Sequence, residues 1–194
     1  MQSQNTQSII LVGVGGQGIL LASEITACAA RIAGYQVKTN EVHGMAQRGG
    51  SVAAHIRYGQ EVFSPIAGIR MARVLGSFER IEALRYAHYL ALDGLAVVSS
   101  QMVVPVTVSS GQATYPNDAE NRLKNAFSRL VYLDADQMAV ELGNIRVANS
   151  IILGAISKGL DLPLDAWREA IQQTIRPQHV EINCRAFDKG RETS

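Results

Sequence analysis

A doubly wound α/β fold follows from three observations. Short β-rich apolar runs alternate with stretches of helical periodicity. A glycine-rich turn joins the first such run to the first helix. The last quarter of the chain has helical spacing almost throughout. The expected architecture is a mostly parallel sheet with helices on both faces, a β-hairpin insertion and a helical C-terminal part. At 194 residues the chain suits one domain spanning 1–194.

The elements are justified in order. Ser8–Val14 (SIILVGV) is a β-rich run stopped by glycines, which predicts a strand buried on both faces. From Gln17 to Ala33 the apolar residues Ile19, Leu20, Ile25, Ala29 and Ile32 predict a helix, with Gly34 as its stop. Gln36–Val42 is the next strand, so the chain opens with a strand–helix–strand unit and a right-handed crossover. His43–Gly50 (HGMAQRGG) has no periodicity and reads as a loop. Ser51–Tyr58 and Glu61–Ser64 flank Gly59-Gln60, a two-residue turn signal that predicts a hairpin. Arg73–Phe78 predicts a strand, and Glu79–Leu90 a helix with Glu82 and Arg85 at i,i+3. Leu95–Ser99 is a buried strand, and Val103–Val108 an edge strand because Pro105 cannot donate to a ladder. Pro116 opens a polar helix of about ten residues, Arg129–Leu133 is a strand, and Asp134 caps a helix through Leu142. Helices follow at Val147–Lys158 and Pro163–Ile175, with a shorter piece from Gln178.

Composition narrows the function. Apolar residues make up 47% and charged residues 18%, which supports a sizeable core. A net charge of +1 gives no electrostatic case for nucleic acid or an anionic membrane. The 14 arginines outnumber the 4 lysines, a bias that suits planar anions and interfaces. Two cysteines, Cys28 and Cys184, exclude a disulfide scaffold and an all-cysteine zinc or iron–sulfur site made by this chain alone. No pair of histidines has metal-ligand spacing, so no metal site is expected. The start has no basic segment before its apolar stretch, and no uncharged run approaches the roughly 20 residues of a membrane span. A cytoplasmic protein is expected.

Two stretches could carry chemistry. Gly13, Gly15, Gly16, Gln17 and Gly18 belong to a Rossmann-like G-x-G-x-x-G pattern between a strand and a helix. Such glycines let backbone approach an anion at a helix N-terminus, or simply let helix and sheet pack closely. Glu41 lies where a dinucleotide-binding fold keeps its ribose-binding acid. The second stretch runs from Glu41 through His43, Gly44, Gln47, Arg48, Gly49 and Gly50 to Ser51. It places an acid, an imidazole, an amide and a guanidinium on one loop past a strand's end, where open α/β sheets bind ligands. Contact with a ligand and contact with a partner subunit are both open there. His55, His88 and His179 read as structural or surface residues, and Glu79 as support for a helix N-terminus.

GVGGQGILLAS, EVHGMAQRGGSVAAHIR, FERIEALR and a late AFDKG together resemble the gamma-type domain of 2-oxoacid:ferredoxin oxidoreductases, in its indolepyruvate branch, from about Ile9 to Gly190. The resemblance implies a subunit of an oxidoreductase that acts on an oxo group with an iron–sulfur protein as acceptor. A 2-oxoacid, most simply indolepyruvate or an aryl pyruvate, and coenzyme A become acyl-CoA and carbon dioxide, with electrons passed to ferredoxin. Thiamine diphosphate, magnesium (Mg) and iron–sulfur clusters are expected in a large alpha partner subunit. This chain is expected to bear no catalytic residue of its own and to be inactive alone. Coenzyme A as co-substrate could touch it, and a homodimer is open for the isolated chain. The carried-over positions are the Gly13–Gly18 turn and the signature loop Glu41, His43, Gln47, Arg48 and Ser51. Arg73 stands where the family commonly has an acid. A stand-alone nicotinamide-dinucleotide-binding protein and a non-catalytic partner-binding module are the alternative functions.

Overall fold

The computed structural model describes residues 6–43, 50–104, 108, 111 and 114–193. Its strands are β1 (Gln7–Val14), β2 (Gln36–His43), β3 (Ser51–Gly59), β4 (Ala72–Ser77), β5 (Leu90–Ser99) and β6 (Leu130–Leu133). The helices are α1 (Ile19–Ile32), α2 (Arg80–Arg85), α3 (Ala119–Ala126), α4 (Ala135–Glu141), α5 (Ala148–Ser157), α6 (Leu164–Thr174) and α7 (Pro177–Arg191).

One sheet runs in the order β2-β3-β1-β4-β5-β6. β1, β4, β5 and β6 pair in parallel. β3 runs against both its neighbours, β1 and β2. β1 is therefore central, and its side chains alternate between two cores. Ile9 and Leu11 face α1, α5, α6 and α7. Ile10 and Val12 face α2, α3 and the segment around Ala67. The sheet is wound on both faces, mostly parallel, with a helical C-terminal part. Among the described residues no helix is long and apolar enough to cross a membrane.

Several boundaries differ from the expectation. The hairpin at Gly59-Gln60 does not form: β3 pairs with β2 across residues 44–50 and with β1 on its other side. The local turn signal loses because β3 is buried on both faces and needs two neighbours. Residues 61–67 instead fold over the sheet and bury Val62 and Ala67. Arg57 fastens this cover through its guanidinium, which donates to Ser64 O at 2.9 Å. The helix expected over Glu79–Leu90 stops at Arg85, followed by a 3-10 turn (Ala87–Tyr89) and then by β5, which starts already at Leu90. No edge strand forms over 101–104, and 105–107 lie outside the described residues. The polar helix begins at Ala119 rather than Pro116. The short piece from Gln178 is a 15-residue helix with Pro177 in its first turn.

Candidate functional site

The carboxyl ends of β1, β4, β5 and β6 share one edge of the sheet with the end of β2 and the start of β3. Both glycine-bearing stretches arrive there. Gly15 N–H donates to Gly50 O at 2.9 Å, so the turn after β1 is tied to the foot of the signature loop. Ser51 lies in register with Val14.

Inside the turn, the Gln17 side chain occupies the space under the backbone. Its Oε1 accepts from Val14 N–H at 2.6 Å. Its Nε2 donates to Phe78 O at 2.8 Å and to Gln101 Oε1. This carboxamide joins the ends of β1 and β4 to the segment after β5. Gly13 is required by packing: a Cβ there would sit 2.6 Å from Gln17 Oε1 and 2.9 Å from Phe78 Cβ. Gly18 caps α1 in the left-handed region at φ 81, with Asn149 against it. Gly13 thus serves close packing around Gln17, and a crevice of about 300 Å³ remains beside Gly16 and Gly18. Asp136 lines that crevice, and burial, then the Asp134 carboxylate, push its carboxyl up from the usual range.

The loop residues are not all gathered at the turn. Register places His43 opposite Val52, which is opposite Gly13. His43 is therefore level with the turn but two strands away, about 10 Å at the usual spacing. Glu41 is opposite Ala54, itself opposite Leu11, so it sits further down the sheet. Its exposed side chain lines a groove with Leu20, Ser23 and Arg31 on the flank of α1. In a dinucleotide-binding fold the acid-bearing strand adjoins β1, whereas here β3 intervenes. Gly44, Gln47, Arg48 and Gly49 lie outside the described residues.

A second cluster, not anticipated beyond its helix-end role, organises the same edge. Glu79 is 2% exposed and is the N-cap of α2. Its Oε2 accepts from Ile81 N–H at 2.6 Å and Glu82 N–H at 3.0 Å. Its Oε1 accepts from the Tyr115 hydroxyl at 2.7 Å and Val103 N–H at 3.4 Å. Buried Glu82 accepts from the Ser51 hydroxyl and from Arg85 at 2.8 Å, the expected i,i+3 pair. One short helix thereby holds the start of β3 and the segments around Val103 and Tyr115. The cues were a lone serine and a lone tyrosine far away in sequence, which no spacing rule connects. Arg73 donates to Gly159 O at 3.1 Å from an exposed position. His55 is structural: its Nδ1 accepts from Ala67 N–H at 3.2 Å, and burial lowers its pKa.

Burial, with the Glu79 carboxylate adding to it, pushes the Tyr115 phenol up to about 12, partly opposed by Arg80. The unfolded chain releases this proton near 10.0 and the folded chain holds it longer. The stabilisation is complete below the unfolded value and is lost as pH rises through the folded one. Thermal melting should therefore fall more steeply for the wild type than for Tyr115→Phe between about pH 10 and 12. Parallel curves would remove Tyr115 from the alkaline response.

Fold and edge define a Rossmann-like domain whose glycine turn holds the Gln17 side chain and whose two glycine-bearing stretches meet at the carboxyl end of the sheet. The chain belongs to the pyruvate ferredoxin/flavodoxin oxidoreductase family, which matches residues 8–193. It is 40% identical over 188 residues to an indolepyruvate oxidoreductase subunit IorB of Pyrococcus horikoshii, covering 94% of this chain and 93% of that one. It is 36% identical over 187 residues to the subunit of the same name from Archaeoglobus fulgidus, covering 94% and 92%. Among solved structures, the pyruvate oxidoreductase subunit PORC of Thermotoga maritima shares its fold with a TM-score of 0.74 at 23% identity, covering 98% and 97%. A 2-oxoglutarate:ferredoxin oxidoreductase chain from Magnetococcus marinus matches 97% of this chain over 31% of its own length, with a TM-score of 0.72 at 18% identity.

Proposed function

We propose that this chain is the small, gamma-type subunit of a 2-oxoacid:ferredoxin oxidoreductase acting on indolepyruvate or a related aryl pyruvate. The observation that carries the proposal is the end-to-end match at 40% identity to an indolepyruvate oxidoreductase subunit. The chain is a single domain over 1–194 that works in the cytoplasm within a heteromer. Its residues do not fit the redox groups of the reaction. Cys28 is buried, Cys184 is half-buried, and they lie on different helices. Among the described residues no three His, Cys, Asp or Glu are placed to hold a metal. Thiamine diphosphate, magnesium and the clusters are therefore assigned to the large alpha subunit, which also delivers electrons to ferredoxin.

The role of this chain is to present the Gly13–Gly18 turn and the signature loop to the shared active site. Gly50 and Ser51 are fixed by Gly15 and Glu82, which sets where the loop leaves the sheet. Arg48, on that loop, is the residue assigned to an anionic group of coenzyme A or to the partner. The nicotinamide alternative is weakened by Glu41, which is separated from β1 by a strand.

The test measures viologen-dye reduction with indolepyruvate, coenzyme A and thiamine diphosphate. The chain alone should be inactive, and the co-expressed large subunit should restore turnover. Turnover by the small chain alone, or a complex indifferent to its presence, would falsify the proposal.

A further inference from the structure

Beside the crevice at the glycine turn lies a second cavity of about 340 Å³. Arg146 and Asn149 line both. The second cavity adds Arg176, His179, Asn144 and Asn183. We propose that it binds a phosphate group, either free or as a phosphate ester.

The charge distribution supports this choice. The whole chain carries +1, yet two arginines line the cavity and no carboxylate does. Neither Arg146 nor Arg176 pairs with an acid among the described residues, although three other arginines do. Arg146 stands just before α5 and Arg176 just before α7, and neither helix has an acidic residue in its first turn. Asp136 lines the adjoining crevice and not this cavity.

The supporting frame is rigid. Asn183 is 7% exposed, accepts from the Ser150 hydroxyl at 2.6 Å and donates to His179 O at 2.7 Å. It thus holds the first turn of α7 against α5. Asn144 accepts from Arg146 N–H at 3.0 Å, which fixes the backbone from which Arg146 springs. Forked donors on fixed backbone suit the tetrahedral oxygens of a phosphate better than a lone carboxylate. This inference stands apart from the proposed reaction, because it concerns binding by the chain itself.

The test is calorimetric titration of the full chain with inorganic phosphate, coenzyme A and dephospho-coenzyme A at constant ionic strength. Saturable binding is expected, weakened at least tenfold by Arg146→Ala and by Arg176→Ala. Arg176→Lys should recover only part, since an ammonium lacks the fork. Preference for coenzyme A over the dephospho form, lost in Arg176→Ala, would identify the ester's terminal phosphate as the ligand. Equal binding of both forms, with phosphate competing, would identify another phosphate of the ester. Saturable binding of inorganic phosphate but of neither coenzyme would identify the free ion. Circular dichroism melting confirms that the variants are folded. No saturable binding, or binding indifferent to both substitutions, overturns the proposal. Dye-reduction activity of the assembled enzyme is read separately, so either proposal can fail without the other.

Discussion

Gly190→Ala should destabilise the chain by about 3 kcal/mol, among the larger costs expected for a single methyl group. α5 and α7 cross with Gly154 and Gly190 at their contact. A Cβ on Gly190 would lie 1.9 Å from Ile151 O, and one on Gly154 would lie 2.0 Å from Phe187 O. Both obstacles are helix backbone, so no side-chain rotation can make room. The helices must part, and the contacts of buried Ile151 and Phe187 loosen with them. Gly34→Ala is the control. Its φ is 86 and nothing lies within 4 Å, so only conformational strain of about 1 kcal/mol is expected. Urea unfolding of both variants gives the comparison. A Gly190→Ala loss no larger than that of Gly34→Ala would show that the crossing is not close-packed.

Glu79→Ala should cost a comparable amount, about 3 kcal/mol, because it strands several donors at once. Two are backbone N–H groups in the first turn of α2, which have no other acceptor in the helix. Glu79→Gln should recover part of this, since its amide oxygen can still accept from both α2 N–H groups while its nitrogen faces the Tyr115 hydroxyl and leaves Val103 N–H unpaired. The coupling between Glu79 and Tyr115 can be isolated by a double-mutant cycle with Tyr115→Phe, where about 1 kcal/mol is expected. Simple additivity in that cycle would mean that the 2.7 Å contact contributes nothing.

The elements legible in the sequence were those whose signal is local. β1 and α1 have clean periodicity, and Asp134 caps α4 by accepting from Gln137 N–H, as its position suggested. β3 was recognised as a strand but given the wrong partner, because Gly59-Gln60 speaks only of its neighbours and not of the sheet. α7 was underestimated because its buried face contains Asn183 and Gly190 alongside Ala186 and Phe187, which dilutes the apolar stripe. The turn and the signature loop were visible as compositional oddities. What surrounds the turn was not: Gln101, Asp136, Arg146 and Asn149 come from separate segments and meet only through the fold.

The reversed strand in the sheet also constrains the order of assembly. A chain folding from its N-terminus could dock β1, α1 and β2 in turn, but that leaves a slot one strand wide between β1 and β2. β2 can pair locally with β3, but the β1 amides on that side are satisfied only when β3 docks against them. Tyr58 is locked at one end of β3, with its hydroxyl donating to Asp161 at 2.5 Å. That contact spans more than half the chain, so closing the slot awaits the C-terminal half. The edge of the sheet that leads into the signature loop thus combines a local ladder, β2 with β3, and longer-range contacts, β3 with β1 and Tyr58 with Asp161, which close more slowly.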